Sequence, residues 1–221
     1  MIHGDSSLAP VCVEEYEQLA HNKLPAEVWD FVAGGSGAEL TLAANRQAFD
    51  RVRLRPRVLV DVSACPTETT LLGAPVALPV GIAPTAYHGL VHPDGELGTA
   101  RGAGATNALY VVSMFATRTL EEIAAKASGP LWLQLYWLRR REVLAELIRR
   151  AAGAGYRAIV LTVDVPRIGR RLRDLRNGFA IDPSVRAVNL EPAMTEVAHQ
   201  RRAGESALAA HATEALDPSI T

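Results

Sequence analysis

A chain of 221 residues, 48% of them hydrophobic and with a formal net charge of −1, can bury one sizeable core and has no positive excess that would call for nucleic acid. Its two cysteines, Cys12 and Cys65, stand far apart and outside any metal-ligand spacing, so no metal site and a reducing, cytoplasmic location are expected. No apolar stretch reaches the ~20 residues of a spanning helix, and residues 1–10 lack the charged start and apolar run of a signal peptide, so no membrane contact is expected.

Between residues 13 and 32 apolar side chains recur at helical spacing. They run through Tyr16, Leu19 and Ala20 and, past the Leu24-Pro25 break, through Val28, Trp29 and Val32, which predicts two short helices. Gly34, Gly35 and Gly37 stop the second helix, and a further helical pattern over 39–49 precedes an extended, Arg- and Val-rich stretch over 52–62. From residue 76 the chain alternates. Apolar runs at 76–83, 109–113, 131–136 and 158–163 read as strands, and 95–106, 120–127 and 141–154 read as helices. Nearly continuous apolar strands separated by helices imply parallel strands buried on both faces, in a barrel or a doubly wound sheet, and periodicity leaves both open. Beyond Asn177 the pattern gives way to a polar stretch with Ala, Glu and His and one weak helix over 205–216. Four such units and a front segment fill about half of a (β/α)8 barrel, which takes ~250 residues. Either the sheet is open or the sequence is incomplete.

Polar residues gather where the apolar runs end: Ala83-Pro84-Thr85-Ala86, then Ser113, then Gln134 with Tyr136, then Thr162 with Asp164. A two-residue spacing puts Gln134 and Tyr136 on one side of their strand, and Thr162 and Asp164 on one side of theirs. Parallel strands would bring these ends to one rim, where a hydroxyl, an amide, a phenol and a carboxylate can cradle a polar heterocycle and a small acid. Each residue alone has a plainer reading. Ser and Thr at strand ends cap helices, Asp closes turns, and Pro166 ends any ladder it meets. His88 and His92 read as surface or capping residues.

Six ordered stretches resemble a known family. They are Lys23-Leu24-Pro25, Ala33-Gly34-Gly35, Gly81-Ile82-Ala83-Pro84-Thr85-Ala86, His92-Pro93-Asp94-Gly95-Glu96, Gln134-Leu135-Tyr136, and the run from Leu161-Thr162-Val163-Asp164 through Val165-Pro166-Arg167 to Arg171. Together they resemble the FMN-dependent (S)-2-hydroxy-acid dehydrogenases and oxidases, the group of glycolate oxidase, lactate oxidase and the mandelate-oxidising enzymes. The Gly-rich turn over 33–37 is similar to that of the aromatic-substrate branch, 4-hydroxymandelate oxidase in particular.

The resemblance implies an α/β fold, the TIM (β/α)8 barrel of the FMN-dependent type. This chain would hold a helical and extended segment (1–70), the first four β/α units (71–176) and a long polar loop region after the fourth strand (177–221). The rest of the barrel would lie past Thr221. It implies FMN across the strand ends, with the main chain of Ala83, Pro84, Thr85 and Ala86 near its reactive edge and Ser113, Gln134 and Thr162 hydrogen-bonding its ring. Tyr136 would contact the substrate, with Ala86 beside it. Asp164 would pair with a catalytic histidine and favour its imidazolium, and Arg171 would approach the substrate carboxylate.

Phe31 stands where small-substrate members place a carboxylate-binding tyrosine, and Phe115 where glycolate oxidase has a tryptophan. Both suggest a roomier, more apolar pocket suited to an aryl group, although Phe31 also reads as a helix core residue. The implied reaction is oxidation of an (S)-2-hydroxy acid, aromatic and mandelate-like, to the 2-oxo acid. The implied partners are that small acid, the C-terminal half of the barrel and further copies of the chain, a homotetramer in the family. None of His3, His21, His88, His92, His199 or His211 matches the family's base, which would lie past Thr221 with a flavin-contacting lysine and a substrate-binding arginine. The chain alone is therefore expected neither to hold FMN tightly nor to turn over. A non-catalytic half-barrel fragment and another FMN-binding barrel with different chemistry are the rival readings.

Overall fold

In the computed structural model, which describes residues 9–164, 168–200, 204 and 206–219, α1 (Val13–Lys23) and α2 (Ala26–Ala33) flank the Leu24-Pro25 break as expected. Val165, Pro166 and Arg167 of the last motif, and Glu205 of the expected last helix, lie outside the described residues. Leu24 is extended, at φ −83 and ψ 145, because the ring of the following proline disfavours the helical region. α3 (Leu40–Asp50) comes next, and residues 52–62 are exposed and without regular structure.

The run expected as one strand over 76–83 is divided between two sheets. β1 (Thr69–Leu71) and β2 (Ala74–Val76) form an antiparallel hairpin, and β3 (Gly81–Ile82) alone joins the main sheet. Pro79 lies between β2 and β3 and has no N–H to give to a ladder, which separates the two. Leu72 and Gly73 turn the hairpin with φ of 47 and 78. Leucine is an unusual choice for a left-handed turn position, so the Asn-Gly or Asp-Gly signal of such hairpins is absent from the sequence.

The main sheet runs β3, β4 (Leu109–Ser113), β5 (Leu131–Tyr136), β6 (Ala158–Thr162), every neighbour parallel. The crossovers are α4 (Glu96–Ala105), α5 (Leu120–Lys126) and α6 (Arg141–Gly153). Spatial order follows chain order without the reversal that marks a doubly wound sheet, so the four β/α units make a partial barrel. Side chains alternate across the sheet. Tyr110, Val112, Met114, Leu133 and Leu135 join Leu120, Ile123 and Leu147 of α5 and α6 in the main core. Leu109, Val111, Trp132 and Val160 form a smaller apolar cluster with Val76 of the hairpin.

Burial on both faces holds for β4 but not for β6. Ile159, Leu161 and Val163 are 41%, 41% and 60% exposed, and β6 is the sheet's edge. The stretch beyond Asn177 is more structured than its polar composition suggests. After α7 (Leu172–Asn177) come α8 (Pro192–Thr195), a 3₁₀ turn (Glu196–His199) and α9 (Ala207–Ala215), and Phe179, Ile181, Leu190, Val197 and Ala198 are buried. α9 is fastened to the chain that follows β5: Arg139 N donates to Ala215 O (3.1 Å), Asp217 N donates to Trp137 O (2.9 Å), and Arg141 pairs with Asp217.

Candidate active site

Parallel pairing carries the ends of all four strands to one rim. Its register sets Ser113 opposite Gln134 and Tyr136 opposite Thr162. Ser113 Oγ donates to Gln134 Oε1 (3.4 Å), and Gln134 Nε2 donates to Thr162 Oγ1 (2.9 Å), a polar chain across three strands. Ser113 and Gln134 are 4% and 2% exposed, so this amide is held by its neighbours rather than by water. Ser113 Oγ also accepts from Phe115 N (3.2 Å), which turns the chain sharply after β4.

Tyr136 is half-buried, its N–H directed at Met114 Sδ (3.2 Å) and its ring 5.9 Å from that of Phe115. Burial, and secondarily the charge of Asp164, raises the phenol's pKa, so Tyr136 is a protonated donor at neutral pH. Asp164 is exposed at the end of β6, two residues past Thr162. Ala83, Pro84 and Thr85 follow β3 as exposed chain, and Ala86 is half-buried.

The loops behind the rim are tied by a residue to which sequence reasoning attached no role. Glu96, the first residue of α4, is fully buried and accepts from His88 N (3.2 Å), Thr117 N (2.9 Å) and Thr117 Oγ1 (2.6 Å). It thereby joins the loop after β3 to the loop after β4, and Tyr87 N adds a bond to Phe115 O (3.1 Å). Nothing local in His92-Pro93-Asp94-Gly95-Glu96 distinguishes a buried glutamate from an exposed helix-start one. His92 Nδ1 accepts from Asp94 N (3.1 Å), a local cap of the turn before α4, whereas His88 is half-buried with its Nδ1 3.0 Å from Thr99 Oγ1 of α4.

Arg171 and Phe31 form a second group. Arg171 Nε donates to Asp174 Oδ2 (2.7 Å), Nη2 donates to the Phe31 carbonyl, and the guanidinium lies 5.5 Å from the centre of the Phe31 ring. Phe31 stacks on Phe179 (4.5 Å), so it has the core role as well as a place beneath Arg171. Among the described residues the hydrogen bonds of Arg171 go to this group and not to the rim. The glycine turn after α2 docks onto the same loop. Arg173 bridges Asp30 (3.5 Å) and Glu39 (2.6 Å), and Gly37 N donates to Arg170 O (2.9 Å). A Cβ on Gly34 would stand 2.4 Å from Asp30 O and 3.2 Å from Arg173 Cδ, so only glycine permits this approach.

Residues 20–221 match the family model described as FMN-dependent dehydrogenase. The chain belongs to this family. Over 209 residues it is 46% identical to 4-hydroxymandelate oxidase of Amycolatopsis orientalis, covering 95% of this chain and 58% of that protein. Against glycolate oxidase of Spinacia oleracea the figures are 41% identity, 95% and 56%. A solved mandelate oxidase with (S)-4-hydroxymandelic acid superposes with a TM-score of 0.90 at 46% identity, covering 95% of this chain and 58% of that one. The chain thus spans little more than half the length of these FMN-dependent relatives.

The donor set at the rim fits the flavin of an FMN-dependent dehydrogenase. An amide that both donates and accepts, flanked by two hydroxyls that can do either, complements a ring edge on which carbonyls alternate with N–H.

Proposed function

We propose that this chain serves the FMN-dependent oxidation of an (S)-2-hydroxy acid with an aryl substituent to the 2-oxo acid, as the first half of an eight-stranded barrel. The observation that carries this reading is the Ser113–Gln134–Thr162 chain with Tyr136 beside it on the same rim. The three polar side chains would hold the flavin ring, with the main chain of Ala83 to Ala86 along its edge. When bound, FMN supplies the acceptor for the hydride equivalent of the substrate. Tyr136 donates its phenol hydrogen to a substrate oxygen and orients the acid against the rim. Asp164 favours a cationic histidine supplied by the second half of the barrel. Phe115 and Phe31 offer apolar surface to the aryl group, and Arg171 offers the carboxylate the guanidinium edge that Asp174 and Phe31 leave open. The mandelate and 4-hydroxymandelate named for the relatives support the aryl assignment.

A cytoplasmic home is supported by the exposed, unpaired thiols of Cys12 and Cys65, and homo-oligomerisation by the exposed apolar side chains of the front segment. The decisive experiment mixes the chain and FMN with the separately made C-terminal half of a family member. A protein-bound flavin band that bleaches with mandelate is expected, and neither binding nor bleaching with the chain alone. A band that no glycolate, lactate or mandelate bleaches would assign a different chemistry to the barrel. No band at all would leave a non-catalytic fragment.

A further inference from the structure

His211 of α9 is 2% exposed, and among the described residues neither ring nitrogen has a hydrogen-bond partner. Its ring meets that of Phe115 edge-on, centroids 5.3 Å apart, and Phe115 in turn lies 5.9 Å from Tyr136. An imidazole therefore stands at the aromatic wall of the rim, brought there by a helix outside the strand repeat. Its position is well anchored. Ser206 Oγ accepts from Ala209 N (3.2 Å) to cap α9, and the bonds from Arg139 and Asp217 fix its other end.

A neutral imidazole carries one donor and one acceptor, and burial with both unmet costs stability that a phenyl ring in the same space would not. Burial holds the pKa of His211 below its ordinary value, so this neutral form is the one present at physiological pH. A buried polar group kept at such a cost against the aromatic pair Phe115 and Tyr136 suggests a polar visitor.

We propose that His211 determines specificity at the aryl end of the substrate, its idle nitrogen taking up a hydroxyl carried on the ring next to Phe115. The inference rests on the aryl 2-hydroxy-acid reading above. It predicts that ring-hydroxylated acids are preferred over unsubstituted ones, and that His211 is the source of the preference.

The test compares kcat/KM for 4-hydroxymandelate and mandelate in the flavin-loaded barrel complemented with its C-terminal half, in wild type and in His211→Phe and His211→Gln. Phenylalanine keeps the ring contact with Phe115 and removes both nitrogens. The wild-type preference is expected to fall about tenfold in His211→Phe, the loss concentrated on the hydroxylated acid, with partial recovery in His211→Gln. Dissociation constants of the two corresponding 2-oxo acids, measured by calorimetry, should move in parallel. A residue that only packs would scale both substrates alike, and an unmoved ratio in both variants would overturn the proposal alone. A wild type that turns over no aryl 2-hydroxy acid would bring down the underlying reading with it.

Discussion

Gln134 is the side chain whose chemistry the rim constrains most, since Ser113 uses its carbonyl and Thr162 its amide. Gln134→Leu keeps the volume and removes both bonds, so flavin binding should weaken by about 1–3 kcal/mol while the fold persists. Titration of FMN fluorescence in the complemented barrel measures it. Tyr136 and Asp164 are coupled through charge. The phenol's pKa is raised, so its donor form survives above the ordinary tyrosine range and is lost only as pH climbs through that elevated value. Asp164→Asn removes a negative charge that opposes phenolate, and the alkaline limb of kcat/KM should move to lower pH. A limb that stays in place, or moves upward, would separate Tyr136 from the titration. These rim residues were legible because a two-residue spacing at a strand end is a local signal. The engagement of Arg171 with Phe31, 140 positions away, was not, because no local pattern encodes it.

Among the elements, those with strong local signals fell where the sequence placed them. α5 begins with a capping box between Thr119 and Glu122, and α1 ends at Lys23 because Leu24, the residue before Pro25, is extended. The hairpin of β1 and β2 was hidden by Leu72, and α8 with the 3₁₀ turn after it by a polar stretch with no helical stripe, whereas α9 falls within the weak helix expected over 205–216. Glu96 shows what elements need beyond propensity. It bonds two rim loops to the start of α4, so Glu96→Ala strands buried N–H and O–H groups and should cost at least about 2 kcal/mol. Urea unfolding of the chain reads this loss. In the complemented barrel the same variant should also weaken substrate binding, because the Phe115 loop loses its tie.

At the scale of the whole molecule the dominant feature is incomplete coverage. Among the described residues β6 is an edge strand with an apolar outer face, and the front segment carries exposed Val58, Leu59 and Phe49. Such surfaces associate. Ile159→Lys places a charge on the open face of β6, and sedimentation should show less self-association of the chain with unchanged helical content; equal association would locate the contact elsewhere. The sequence by itself determined the alternation of strands and helices, the polar strand ends and, through six motifs, the family, because periodicity and motif spacing are properties of neighbouring residues. Only the tertiary structure decided which faces are covered, where Arg171 and Glu96 find their partners, and that α9 brings His211 to Phe115. Those outcomes depend on contacts between distant segments, whose free energy is settled by packing and burial after the chain has closed its loops.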